Sequence, residues 1–215
     1  MKNIERKIGE FFCERMLKPI RNKQDMILLL LETLKLVGST EEAVSTERGK
    51  IVIYVDKMSR IFYLTEGKYF SLCFPFTLEE RENNSFRIYD NVTDLEITDQ
   101  MISLLISILK KYEKLGESLE SMIDFIIEST QDYGYPNIDD IWRMLFKFWY
   151  MEDGYIRYDY DPKHEKSNRH PLYHLDVNYS SGVTYKIGLK NSFHMDNFRD
   201  LLDVTKDCMY LNGRK

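Results

Sequence analysis

The side chains of this 215-residue chain that could do chemistry together are concentrated between residues 155 and 189. "YIRYDYDP" supplies Arg157, Asp159 and Asp161, and "HPLYHLDVNYSSGVTYKIGL" supplies His170, His174, Asp176 and Lys186. An imidazole that titrates near neutral pH can act as general acid and base, and a neighbouring carboxylate can orient it. Arginine and lysine can hold a phosphate or stabilise the charge of a pentacoordinate phosphorane. His174, assisted by Arg157, Asp176, Lys186, Asp159 and His170, is therefore the candidate catalytic set, and its chemistry is metal-independent cleavage of RNA or of a nucleotide.

Such a set works only if the backbone gathers it on one surface. Side chains alternate across a strand, so His174, Asp176 and Asn178 point one way while Leu175, Val177 and Tyr179 point the other. Ser180, Ser181 and Gly182 read as a three-residue hairpin loop. That loop pairs Tyr179 with Val183, Val177 with Tyr185 and Leu175 with Ile187 on the apolar face. On the other face Asn178 meets Thr184, Asp176 meets Lys186 and His174 meets Gly188, whose missing side chain would leave room for a ligand. "YIRYDYD" alternates likewise, and as the neighbouring strand it adds Arg157 and Asp159 to that polar face.

The simpler reading is a sheet with one solvated face, on which Asp176 and Lys186 form a cross-strand ion pair contributing about 0.2–1 kcal/mol. Two sharper motifs are set aside. A metal triad of His170, His174 and Asp176 would need strand positions four apart, about 13 Å, to converge on an ion that holds its ligands at about 2 Å, unless the chain bends at Pro171. Arg169 and His174 fit the Arg-x4-His spacing of helical higher-eukaryote-and-prokaryote nucleotide-binding ribonucleases. Pro171 and the strand-like alternation that follows oppose the helix this motif requires.

The remaining sequence reads as a single α+β domain over residues 1–215, an antiparallel meander and a C-terminal β-hairpin packed with several amphipathic helices. Residues 1–36 are expected to be a helical start, with helices near 3–17 and 22–36, the second apolar nearly all round. Residues 50–97 hold a β meander, "KIVIYVD", "RIFYLTE" and "KYFSLCF", then a polar connector with strand-like pieces at "FRIYD" and "DLEIT". Residues 98–151 are helices: Thr98 caps the first, Gly116 ends it, and Asn137 caps the third. Ile138, Ile141, Trp142, Leu145, Phe148 and Trp149 form a core-facing stripe of that third helix. Residues 155–191 are antiparallel strands, and 195–210 a last helix.

Composition narrows the function classes. A net charge of −5 argues against general polyanion binding, although the first 23 residues carry a basic excess. Cys13, Cys73 and Cys208 are widely spaced and show no CxxC pairing, which fits reduced thiols and neither a disulfide framework nor a zinc site. The charged start lacks the apolar stretch of a signal peptide, and "MILLLL" is far too short to span a bilayer. The expectation is a cytoplasmic protein with no membrane partner and no cofactor.

"RYDYDP" (157–162), "HPLYHL" (170–175) and Phe198 together resemble an uncharacterised bacterial domain family. The C-terminal part of that family reads R-[FY]-D-Y-D-P, then HPxxHL, a hairpin, and a helix with an aromatic residue near its start. The resemblance covers roughly a quarter of the chain. It implies a small bacterial cytosolic protein often encoded among mobile-element or phage-defence genes, with no established activity, and it favours Arg157, Asp159, His170 and His174. Two functional expectations follow. One is an accessory component of a phage-defence or toxin–antitoxin system that binds a protein partner encoded nearby, with the polar loop "PKHEKSNR" beside the polar face. The alternative is the ribonuclease or nucleotide hydrolase described above, acting through His174.

Overall fold

The computed structural model describes residues 3–39, 46–82, 84–115, 119–166, 169–179 and 182–211. In chain order the first elements are β1 (Asn3–Ile8), α1 (Glu10–Leu17), α2 (Lys23–Gly38), β2 (Gly49–Tyr54), β3 (Arg60–Thr65) and β4 (Lys68–Cys73). Then come β5 (Phe76–Glu80), β6 (Phe86–Asp90), α3 (Asp99–Leu115), α4 (Leu119–Asp132) and α5 (Ile138–Tyr150). The chain closes with β7 (Ile156–Tyr160), β8 (Tyr173–Val177), β9 (Tyr185–Leu189) and α6 (Met195–Leu202). This is the α+β class that the sequence implies. Its contacts divide into two compact units: Met1–Leu17 with Val44–Phe74 and Gly154–Lys215, and Lys18–Ala43 with Pro75–Asp153. The units interleave along the chain, so no linker composition marks the division.

The first unit is built on a seven-stranded sheet in the order β1-β2-β3-β4-β7-β8-β9, every neighbouring pair antiparallel. One face carries an apolar core from β2 to β9, while the edge strand β1 presents exposed Asn3, Glu5 and Lys7 there. Val52, Tyr54, Phe62, Leu64, Tyr158 and Leu175 pack there with Phe198 of α6, and Tyr69, Ile156, Tyr173, Ile187 and Leu189 border them. Phe198 is the anchor: it is fully buried, with its ring 6.0 Å from Phe62 and 6.3 Å from Tyr69. The opposite face is aliphatic and aromatic on β2–β4, where Ile51, Ile53, Ile61, Tyr63, Phe70 and Leu72 are buried, and turns charged on β7–β9.

The second unit joins α2–α5 to the β5–β6 hairpin. The side chain of Asn22 accepts from the Asp25 N–H and caps α2, whose Met26, Ile27, Leu28, Leu29, Leu30 and Leu31 are all buried, as its apolar composition requires. Thr98 Oγ1 accepts from the Met101 N–H, and Asn137 Oδ1 from the Asp139 N–H, so both expected caps form.

Three expectations change. The helical start is instead strand β1 followed by the short α1. Ile4, Arg6 and Ile8 alternate inward along β1, and pairing with β2 selects period two over the helical period that the same residues also allow. The polar connector contains β5, and the "DLEIT" piece contributes only the Tyr89–Glu96 bridge. The last helix stops at Leu202, where Asp203 turns its carboxylate to accept from the Thr205 N–H and hydroxyl. Gly116, Ser167, Asn168, Ser180 and Ser181, expected in loops, lie outside the described residues.

Truncating a fully buried phenylalanine typically costs about 3–5 kcal/mol. Phe198→Ala is therefore expected to lower the unfolding free energy by about that amount in urea titration. A loss under about 1 kcal/mol would mean that α6 does not anchor the sheet.

Candidate functional site

The hairpin forms in the expected register. Leu175 faces Ile187, Asp176 faces Lys186 and His174 faces Gly188, while Arg157 and Asp159 of β7 lie beside Asp176 and His174. Alternation therefore does bring Arg157, Asp159, His174, Asp176 and Lys186 onto one face. The outer pairs, Asn178 with Thr184 and Tyr179 with Val183, do not join the ladder. Asn178 turns into a positive-φ conformation, and the Thr184 hydroxyl lies 2.6 Å from its carbonyl oxygen.

Arg157 organises the cluster. Its Nε donates to Asp159 Oδ2 at 2.7 Å, one terminal nitrogen donates to Asp176 Oδ2, and the other to the Tyr155 hydroxyl at 3.3 Å. Lys186 Nζ donates to Asp176 Oδ1 at 2.6 Å and to His174 Nε2 at 2.9 Å. Burial alone would lower the Arg157 pKa, but Tyr155, Asp159 and Asp176 together push it up. Burial raises the Tyr155 pKa. Lys68 on β4, opposite Asp159, has its pKa lowered by burial and by the charge of Arg157, and its ammonium donates to the Leu17 carbonyl at 3.4 Å.

The face is not solvated where it matters. His174 is 0% exposed, because the chain bends at Pro171 and folds back over it. The His174 Nδ1–H donates to the Pro171 carbonyl at 2.9 Å, and the His170 ring sits edge-on at 4.7 Å. A carbonyl only accepts, so Nδ1 carries the proton, and an ammonium only donates, so Nε2 presents its lone pair to Lys186. The imidazole is held neutral, its pKa lowered by burial and by Lys186 against the opposing pull of the Pro171 hydrogen bond and the two aspartates. Gly188 does not leave room for a ligand: a Cβ there would stand 2.8 Å from Pro171 Cγ, so the proline fills that space.

His170 belongs to an outer group. Its Nε2 lies 3.8 Å from Asp161 Oδ2, and its Nδ1 is buried with no hydrogen-bond partner among the described residues. Asp161 also meets His164 Nδ1 at 3.0 Å; partial burial raises its pKa, and the His164 hydrogen bonds outweigh that and lower it. The strand-spacing objection to a site joining His170 and His174 fails, since β8 begins only at Tyr173. The compact triad is nevertheless a different one. Asp159 Oδ2 and Asp176 Oδ1 lie 3.7 and 3.9 Å from His174 Nε2.

Sequence reasoning missed Tyr155, which lies two residues before Arg157 and bonds it locally, and Lys68, which reaches the cluster only through the β4–β7 pairing, and it missed a second surface. On α5 the core is Ile141, Met144, Leu145 and Phe148, while Trp142 is only half-buried and starts an outward ladder. Trp142, Phe146 and Tyr150 stand with successive ring centroids 6.1 Å apart, and Phe146 and Tyr150 are 53% and 82% exposed. The spacing of these aromatics, four residues apart, is the signal that was available. Phe146 and Tyr150 border a pocket of 380 Å³ with Val92, Thr93, Arg143 and the Lys147–Asp90 ion pair.

No family model matches the chain, and neither the curated proteins nor the solved structures contain a significant match to it.

A histidine kept neutral by the fold takes up fewer protons than the unfolded chain does. Its contribution to stability is thus present above the ordinary histidine pKa of about 6.5 and is lost as pH falls below it. Denaturant unfolding between pH 8 and 5 should show stability declining over the acid part of that range, with a shallower decline in His174→Gln. Equal pH slopes for the two proteins would refute the neutral, buried imidazole.

Proposed function

We propose that the protein works by binding a partner protein, with the outward aromatic face of α5 as its contact surface. The observation that carries this reading is the Trp142–Phe146–Tyr150 ladder beside exposed Arg143 and a 380 Å³ pocket. Single exposed aromatics are ordinary, but a contiguous stripe of them is not. Tryptophan, tyrosine and arginine are also the residue types that dominate binding energy at interfaces. The rings offer large areas while fixing only two torsions each, so ordering them on a partner costs little entropy.

The setting we infer is an accessory role in a bacterial phage-defence or toxin-type system, in the cytoplasm, with the partner encoded nearby. Its support is the resemblance of residues 157–162, 170–175 and Phe198 to the bacterial family described above. The alternative, a metal-independent ribonuclease or nucleotide hydrolase acting through His174, has weaker support. Arg157 and Lys186 keep 22% and 30% of their side chains exposed, but the His174 imidazole reaches no solvent and both its nitrogens are engaged.

Co-expression with the products of adjacent genes, followed by gel filtration and calorimetric titration, tests the reading. The wild-type chain should co-elute with one of them. Phe146→Ala combined with Tyr150→Ala should weaken that complex at least about tenfold, since a hot-spot side chain contributes about 2 kcal/mol or more. Both residues are exposed, so each substitution should change stability by no more than about 0.5 kcal/mol. Undiminished binding by the double variant, or a chain that elutes alone with every neighbour, would overturn it. RNA cleavage that survives chelator and disappears in His174→Gln would establish the alternative instead.

A further inference from the structure

We propose that Asp159, His174 and Asp176 bind a divalent first-row transition ion at the position now held by the Lys186 ammonium. The three side chains offer two carboxylate oxygens and one imidazole nitrogen from adjacent strands, all within 4.8 Å of one another. A mixed nitrogen and oxygen set of this kind suits zinc and its neighbours better than magnesium or calcium, which prefer oxygen alone.

Three features prepare the set. The Nδ1–H of His174 is committed to the Pro171 carbonyl, which fixes the tautomer, aims the Nε2 lone pair at the carboxylates and raises ligand basicity, as the outer hydrogen bond of a metal-bound histidine does. Arg157 holds Asp176 by Oδ2 and leaves its Oδ1 beside the imidazole, and it fixes Asp159 by Oδ2, the oxygen that stands 3.7 Å from Nε2 and would offer the ion its second lone pair. A cation already sits between Nε2 and Asp176 Oδ1, since Lys186 Nζ lies 2.9 and 2.6 Å from them.

The distances favour exchange. Ligands bound at about 2.1 Å in a tetrahedron stand about 3.4 Å apart, so the two imidazole–carboxylate separations of 3.7 and 3.9 Å need to close by a few tenths of an ångström. The two carboxylates, within 4.8 Å of one another, draw together as the ion enters. Lys186 is the group able to leave. It stands on β9, at the edge of the sheet, with its side chain 30% exposed on a flexible stem, so its ammonium can swing into water as the ion enters. No proton has to leave the imidazole, and the fixed positive charge of Arg157 keeps the affinity of the natural chain modest. Lys186 is thus the ion's competitor and sets the concentration at which it binds.

The test uses the full chain, stripped with chelator and desalted, then titrated with Zn2+ by calorimetry and with Co2+ by visible absorption. Lys186→Met removes the competing charge from an exposed strand position and should bind one ion at least about tenfold more tightly than wild type, with a rise in melting temperature on adding Zn2+. Adding Asp159→Asn to Lys186→Met should reverse that gain, with circular dichroism confirming that the double variant is folded. His164→Ala, which disrupts only the outer group around Asp161, should leave the affinity of Lys186→Met unchanged. The proposal is overturned if Lys186→Met binds no more tightly than wild type, if Asp159→Asn has no effect, or if His164→Ala removes the site.

Discussion

The charged half of the sheet depends on one guanidinium. Arg157 stands on β7 with Asp159 on its own strand and Asp176 on the next, and it is the only side chain among the described residues that donates to both carboxylates. Removing one partner from a largely desolvated pair leaves an uncompensated charge that costs several kcal/mol, whereas the intact pair contributes little net stability. The cluster therefore acts less as a source of stability than as a constraint on register. A slip of one residue between β7 and β8 would send Asp176 to the face occupied by Tyr158, Leu175 and Phe198 and leave Arg157 half unpaired.

That constraint shapes how the face changes character along the sheet. Phe70 on β4 is the direct neighbour of Arg157, and its ring stacks on Tyr63 at 4.5 Å and approaches Tyr155 at 6.0 Å. Tyr155 is buried and still offers its hydroxyl to Arg157, so it joins an apolar floor to a charged one through a single side chain. On the far side Pro171 closes the cluster over Gly188, the one strand position in β9 where its ring can approach so closely.

What the sequence showed and what it hid follow from the range of the interactions. The register of β8 against β9 was legible, because alternation and a short turn are local and each apolar residue faces another across the ladder. The side that each residue of β7 takes was legible too, but its register against β8, across a longer connection, was not. The identity of the five side chains on the polar face was legible for the same reason. Their burial was not. Alternation tells which side a residue takes but not what lies over that side, and the cover comes from a bend at Pro171, outside the strands. At the N-terminus Ile4 and Ile8 satisfy a helical period and a strand period alike, and only pairing with β2, more than 40 residues on, decides between them. On α5 the stripe Ile141, Leu145 and Phe148 was read correctly as core. Trp142 was counted with it because its hydrophobicity outweighed its angular position, one residue away from the buried row.

The features that weaken His174 as an acid–base catalyst strengthen it as a ligand. Proton transfer needs both protonation states within reach near neutral pH and a path for the proton, whereas here Nδ1 is committed to a carbonyl and charging Nε2 would place a proton against an ammonium. Coordination asks only for a lone pair of fixed direction, a neutral ring and anionic neighbours, and burial supplies the first two while the strands supply the third. Binding a partner through the α5 surface asks for neither. Phe146 and Tyr150 stay exposed on a helix whose opposite face is already buried, so the apolar area they leave in water is removed only when something else covers it.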